Sequence, residues 1–383
     1  MKFFHISDLH IGRQMNGYGL KDSQESALAQ IIEYASDQKP DAVLICGDIY
    51  DKSVPSAEAY TVFDSFLNRL SAVRPSMPVL IIAGNHDSPE RLSYASSFLG
   101  RHQIHISALP PSSPEDRLKK ITLEDEWGKV NFYLFPFIKP GYVRHLFEEG
   151  KVTGYDSAFR AVLEREEIRE EERNVLLAHQ FFVSGTGEPS VCDSESVILT
   201  SGGLDQIDVS ALSAFDYAAL GHLHGPQKVG EERFRYSGTP YKYSVSEEHH
   251  HKAVMMVTLE EKGTLKTESL PLICRPDVRR IRGPLEDVLA ASDGEGRGDF
   301  VSITLTDETE AYDMKDQLQE AYDRILEIRI DNERTRKKLM EDGEEIKIPD
   351  PFEAFCRFYE AIRHCPMTGE QETILRGVLE EIE

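Results

Sequence analysis

Five short apolar runs, far apart in the chain, each finish in side chains able to ligate a metal. Phe3–Ser7 leads into Asp8-Leu9-His10, Val43–Gly47 into Asp48, Val79–Gly84 into Asn85-His86-Asp87, Asn174–Ala178 into His179, and Phe215–Gly221 into His222-Leu223-His224. A single acid after a strand is ordinarily a turn residue, and a single histidine is ordinarily a satisfied core or surface residue. Five such endings together are another matter. Open α/β sheets bind ligands just outside the carboxyl ends of their strands, so residues distant in sequence converge there. Asp8/His10 and His222/His224 are spaced i, i+2, which in extended backbone points both side chains of a pair the same way. Each pair is therefore expected to grip an ion from one side. Carboxylate, imidazole and amide oxygen in one set suit Mn²⁺, Fe²⁺ or Zn²⁺ rather than Ca²⁺, and the lack of cysteine among the five endings disfavours a structural zinc site.

The elements that must position these residues read as an α/β domain over the first 270 residues. Asp22 and Ser23 are expected to cap a helix with Ala27, Leu28, Ile31, Ile32 and Ala35 on one face, and the Val43–Cys46 run follows. Pro55-Ser56 opens a second helical pattern through Tyr60, Phe63, Leu67 and Leu70, before the strand-like Val79–Ala83. Glu164–Arg173, with six Glu and three Arg, reads as an acidic helix or solvated face ahead of the Asn174–Ala178 strand. A Gly, Ser and Pro-rich loop (Ser184–Ser190, Ser201–Gly203) is long enough to suggest function or flexibility. Near Pro271 the character changes. A strand at Phe300–Leu305, a helix around Met314–Leu326 and a strand at Glu327–Ile330 predict a small second domain over 271–340. Glu341–Lys347 reads as a linker, followed by amphipathic helices around Phe352–Ile362 and Ile374–Ile382.

Composition narrows the class. The 383 residues are 40% hydrophobic and 29% charged, an ordinary globular balance, and the longest apolar runs are far short of the ~20 residues a membrane span needs. An acid at Asp8 interrupts any N-terminal signal region, so a cytoplasmic location is expected, and the five scattered cysteines are expected to be reduced. With 43 Lys+Arg against 67 Asp+Glu the net charge is −24, which on its face opposes binding to nucleic acid. Arg275, Arg279, Arg280 and Arg282 form a local reversal, either a phosphate contact or a salt-bridged surface strand. His249-His250-His251 reads as a surface loop, since successive side chains in extended backbone face opposite ways.

The set Asp8-x-His10, Gly47-Asp48-x-x-Asp51, Gly84-Asn85-His86-Asp87, His179 and Gly221-His222-x-His224 resembles the full motif series of the calcineurin-like metallophosphoesterases, in order. Within that superfamily the chain resembles the SbcD family of double-strand-break repair nucleases. The stretches that carry this are Ser7–Gly12, Gly47–Asp51, Asp216–His224, Tyr236–Pro240 and the region after Pro271. The resemblance covers essentially the whole chain. It implies two β-sheets sandwiched between helices, a small α+β capping domain and C-terminal helices. It also implies two divalent ions, most simply Mn²⁺: one held by Asp8, His10, Asp48 and His224, the other by Asp48, Asn85, His179 and His222. His86 matches the residue that contacts the scissile phosphate and assists the leaving group. Asp51 departs from archaeal and eukaryotic relatives, which tend to carry histidine there, and so has no assigned role.

The implied activity is metal-dependent DNA hydrolysis, exonucleolytic on duplex ends and endonucleolytic on single strands and hairpins, in repair, recombination and replication. The alternatives are a phosphodiesterase or phosphoprotein phosphatase with the same core, and a non-catalytic scaffold. The implied partners are DNA, touched by the four arginines, and the SMC-like ATPase SbcC, bound through residues 341–383 in an assembly of two nuclease and two ATPase subunits. A homodimer through the nuclease domain is a further expectation.

Overall fold

Runs such as Val43–Cys46 and Leu80–Ile82 lack polar alternation because strands buried on both faces have no solvent side to supply. In the computed structural model, which describes residues 1–185, 189–195, 206–292, 296–308, 313–336 and, with gaps, 351–375, these runs become the centres of two mixed six-stranded sheets. In the first, Lys2–Ile6, Ala42–Cys46, Val79–Ile82 and Ile104–Ser107 run parallel, and the hairpin Ala253–Leu259/Leu265–Pro271 adds antiparallel to Lys2–Ile6. In the second, Gly128–Phe135, Arg173–His179, Tyr217–Gly221 and Glu231–Tyr236 run parallel, with Lys119–Asp125 and Gln227–Val229 as antiparallel edges. Phe3, Leu44 and Leu80 of one sheet pack on Phe132, Val175 and Tyr217 of the other, an apolar layer with essentially no solvent exposure. Helices Lys21–Gln38 and Ala57–Val73 cover the outer face of the first sheet, and Tyr155–Leu163 that of the second. The expected sandwich of sheets between helices is the fold observed.

Local chemistry explains where the elements begin. Ser56 Oγ accepts from the Ala59 N–H at 3.1 Å and starts the helix that Pro55 introduces. The first helix differs from expectation. It starts at Lys21 with Leu20 as N-cap and no side-chain cap, while Ser23 and Gln24 are buried inside its first turn. The acidic stretch is also not a helix. The helix is Tyr155–Leu163, whose Ala158, Phe159, Ala161, Val162 and Leu163 bury, and residues 164–172 are turns and irregular chain. Six glutamates without an apolar stripe have nothing to dock.

The chain divides into two units, Met1–Thr304 with Ala311–Arg329, and Leu305–Glu310 with Ile330–Glu383. Val278–Gly283, Phe300–Leu305 and Arg324–Ile330 form a three-stranded sheet accompanied by helix Met314–Ala321. That helix ends five residues sooner than expected, because Ile325 and Leu326 belong to the last strand. In the second unit, helix Pro351–Arg363 exposes Phe355, Phe358 and Ile362 at i, i+3, i+7. The linker Glu341–Lys347, the loop portion Ser201–Gly203 and nearly all of the helix around Ile374–Ile382 lie outside the described residues.

Candidate metal centre

The carboxyl ends of five parallel strands, three from the first sheet and two from the second, meet at one place. Asp48 stands at its centre. Its Oδ2 lies 3.6 Å from His10 Nε2 and 3.4 Å from His179 Nε2, while its Oδ1 accepts from the His86 N–H at 2.8 Å. On one side His10 Nε2 and His224 Nε2 are 3.1 Å apart, with Asp8 in the same cluster. On the other, Asn85 Oδ1 lies 3.0 Å from His179 Nε2 and 2.9 Å from His222 Nδ1. All seven sequence-derived ligand candidates are thus brought together, with His86 beside them, its ring 4.8 Å from that of His10.

The expectation that each i, i+2 pair acts from extended backbone fails. Asp8 (φ 53°), His10 (φ 42°) and Asp48 (φ 49°) are left-handed, a conformation costing L-residues roughly 1–2 kcal/mol each. His222 and His224 do not share a partner: His222 meets Asn85 and His224 meets His10. The left-handed turn is held from outside by Gln24, whose amide donates to the His10 carbonyl (2.7 Å) and accepts from the Gly12 N–H (3.1 Å). Close approach at the strand ends, between the sheets at Gly221 and within the first sheet at Gly84, depends on glycine. A Cβ on Gly221 would stand 1.9 Å from the Cys46 carbonyl oxygen, and one on Gly84 2.1 Å from Asp48 Oδ1.

Burial and charge set the protonation states. Burial raises Asp8 to about 6 against the pull of His179 and His224. Burial would raise Asp48 too, but His179 and His10 hold its carboxyl far below the usual range. For His179, burial favours the neutral ring and the Asp48 carboxylate overrides it, bringing the group up to about 9. Its Nδ1–H donates to the Cys46 carbonyl at 2.8 Å, so the second proton sits on Nε2, the atom facing Asp48 and Asn85. A cation entering there displaces that proton. Burial, then His179, lowers His222 to about 3.

The donor set fits divalent cations. Two buried carboxylates, an amide oxygen and four imidazoles converge within contact of one another, and the fully buried His10 Nδ1 has no hydrogen-bond partner. Oxygen and imidazole nitrogen without thiolate is a first-row divalent set.

Residues to which the motif reading assigned no role complete the site. Asp87 accepts from the N–H groups of Ile49 (3.2 Å), Tyr50 (3.1 Å) and Gly84 (2.9 Å), lashing the Asp48 loop to the Asn85 loop. Burial and then Asp48 raise it to about 6. Asp51 accepts from Arg13 Nη1 at 2.9 Å, and its carbonyl holds His86 Nδ1 at 2.9 Å. Ser194, Glu195 and Glu247 surround His224, and no strand ending marks them in the sequence.

Of the four arginines, Arg275, Arg280 and Arg282 are exposed, whereas Arg279 pairs with Asp299 at 2.8 Å and donates to the Gly296 carbonyl at 2.7 Å. Arg275 and Arg279 line a cavity of about 870 Å³ together with Arg324 and Lys242. His249 and His251 are exposed and His250 is half-buried, and both His250 and His251 line the same cavity.

Residues 1–226 match the calcineurin-like phosphoesterase family, and the chain belongs to it. Residues 274–363 match the family SbcD_C, described as the type 5 capsule protein repressor C-terminal domain. The chain is 29% identical over 329 residues to the SbcD subunit of the nuclease SbcCD of Staphylococcus epidermidis, covering 85% of this chain and 84% of that protein. Among solved structures it is similar to GAP50, the anchor in the inner membrane complex of Plasmodium (10% identity, TM-score 0.42, 71% of this chain and 89% of that one). A dimetal phosphatase from Danio rerio is also similar (13% identity, TM-score 0.39, 71% and 96%). No described helix is long and apolar enough to cross a membrane.

Proposed function

We propose that the chain is the nuclease subunit of an SbcCD-type complex, hydrolysing DNA phosphodiesters in the cytoplasm with two divalent cations, Mn²⁺ foremost. The observation that carries this is the convergence of Asp8, His10, Asp48, Asn85, His179, His222 and His224 about one carboxylate, in a chain similar along 85% of its length to the SbcD subunit of an SbcCD nuclease. Asp8, His10, Asp48 and His224 would hold one ion, and Asp48, Asn85, His179 and His222 the other. Bound divalent ions supply Lewis acidity toward a phosphoryl oxygen and an acidified water.

The side chains do the rest. Asp48 is kept ionised by the histidines around it and faces both halves of the site. His86 is oriented by its Nδ1 hydrogen bond to the Asp51 carbonyl, which leaves Nε2 as the atom that carries a proton to the departing sugar oxygen. Arg13, anchored on Asp51, stiffens the loop that bears this carbonyl. Residues 1–270 would carry the hydrolysis. Residues 271–340 would orient DNA through Arg275, Arg280 and Arg282, and 341–383 would dock the SMC-like ATPase SbcC, two copies of each subunit per assembly, with a homodimer formed through the nuclease domain. The exposed Phe355, Phe358 and Ile362 supply an apolar face for such docking.

The test is degradation of an end-labelled blunt duplex with Mn²⁺, Mg²⁺ or chelator, alongside His86→Ala. Manganese-dependent cutting that falls about 10²–10⁴-fold in the variant, with metal content retained, is the expected result. Turnover of a generic phosphodiester without DNA cleavage would move the substrate to a small molecule.

A further inference from the structure

His224 is joined to a buried carboxylate that belongs to no strand ending. Its Nδ1 lies 2.7 Å from Ser194 Oγ, and Ser194 Oγ lies 2.5 Å from Glu247 Oε1. Glu247 is fully buried and accepts further from the Tyr243 N–H at 3.1 Å. Its second oxygen is 2.5 Å from Lys252 Nζ, and that ammonium also donates to the His224 carbonyl at 2.9 Å and to Thr239 Oγ1 at 2.6 Å. The directions of these bonds are forced. An ionised Glu247 can only accept, so the single Ser194 hydroxyl hydrogen points to it. Ser194 Oγ then has only lone pairs left for the ring, and His224 Nδ1 must be the donor. In the neutral ring, which a cation requires of its ligand, Nε2 then carries no hydrogen, and Nε2 is the atom 3.1 Å from His10.

We infer that Glu247 and Ser194 are positioning residues, which through this relay fix His224 in the tautomer whose Nε2 lone pair faces the metal centre. The inference rests on the metal-dependent reading above. Ligating histidines generally donate their other N–H to a carboxylate, carbonyl or water, and loss of that partner costs ~10–100-fold in metal affinity. Here the middle link comes from a loop rather than from the sheets. Ser194 and Glu195 of this loop sit against His224, with Glu195 Oε1 accepting from the His224 N–H at 2.6 Å and the Ser194 carbonyl accepting from Arg13 Nη2 at 3.1 Å. Affinity at this side of the centre therefore depends on the seating of that loop.

Cys192, Glu247 and His250 also approach one another, but they do not form a rival metal site. The Lys252 ammonium already occupies the cation position beside Glu247, and burial together with Glu247 and Glu195 keeps the Cys192 thiol protonated.

The experiment is Mn²⁺ titration by calorimetry of the full chain, Ser194→Ala and Ser194→Thr, with the metal-free melting of each. Ser194→Ala is expected to melt somewhat below the parent, since the buried Glu247 loses a donor, and to lose ~10–100-fold in affinity for one of two equivalents, while Ser194→Thr, which keeps the hydroxyl, stays within a few-fold. Unchanged affinity in Ser194→Ala, with the parent binding both ions, overturns the relay alone. A parent chain that takes up no divalent ion overturns the metal-dependent reading and the relay with it. Should Ser194→Ala fail to fold, long-range ¹H–¹⁵N correlation on the parent decides: hydrogen on His224 Nδ1 supports the relay, and hydrogen on Nε2 overturns it.

Discussion

His5 ties the two sheets together directly beneath the metal centre, and it should make the fold sensitive to acid. It is wholly buried in the strand that delivers Asp8, with Nε2 3.2 Å from the Leu220 carbonyl and Nδ1 2.9 Å from the Tyr217 hydroxyl, both in the opposite sheet. A carbonyl can only accept, so Nε2 carries the hydrogen and Nδ1 accepts from the tyrosine. Burial, partly offset by the Leu220 hydrogen bond and reinforced by the charge of Arg235, lowers this group to about 3. An unfolded histidine titrates near ~6.5. Between those values the unfolded chain binds a proton that the folded chain refuses, so stability is full above pH ~6.5 and falls by ~1.4 kcal/mol per unit as pH drops toward the folded value. At pH ~5 the loss from this residue alone is about 2 kcal/mol. His5→Gln can donate to Leu220 and accept from Tyr217 without titrating. Urea unfolding of the metal-free chain at pH ~7 and ~5 should therefore show the variant losing about 2 kcal/mol less than the parent between the two conditions. Equal losses would refute the reasoning.

Gly221→Ala places a methyl 1.9 Å from the Cys46 carbonyl oxygen and 2.7 Å from His179 Nδ1, so it must break their hydrogen bond. Overpacking of this kind costs ~1–3 kcal/mol, and against backbone the upper end is expected, with reduced metal uptake. Unchanged melting and uptake would contradict the close-approach argument. Arg275→Glu with Arg280→Glu should weaken duplex binding and lower the salt slope, by ~0.9 per lost phosphate contact, in anisotropy titrations. An unchanged slope would move the DNA path elsewhere. Arg279→Glu should instead lower the melting temperature, since its partners are Asp299 and the Gly296 carbonyl. Deleting 351–383 should abolish co-purification with an SbcC-type ATPase and spare metal-dependent cutting. Survival of the complex would relocate the interface.

The candidate ligands were legible in the sequence because each ends an apolar run, and runs buried on both faces read plainly whatever their neighbours. The edge strands were not. Lys119–Asp125 and Leu265–Pro271 alternate charged and apolar residues on a half-solvated face, a weak pattern beside acidic loops. Asp8 and His10 are not extended, because tertiary contacts, above all Gln24 on the His10 carbonyl, hold a left-handed turn that i, i+2 spacing cannot reveal. Ser194 and Glu247 were invisible for a further reason. Their role exists only through His224, and neither sits at a strand ending or within a recurring spacing.

If the proposed nuclease function holds, a chain of net charge −24 must arrange its charge locally to act on a polyanion. Six glutamates lie in the turns of 164–172, away from the strand ends that carry the candidate centre, while Arg275 and Arg280 are exposed and Arg275 lines the basic cavity. Two divalent ions would add about four positive charges where the Asp8 and Asp48 carboxylates meet, reversing the sign of the field at the point of chemistry. Affinity for DNA would then come from few contacts rather than from a broad basic face. The salt slope should accordingly be shallow, on the order of two to four, and each exposed arginine should account for a large share of it. A steep slope, retained after charge reversal at Arg275 and Arg280, would mean that the phosphates follow a path these side chains do not mark.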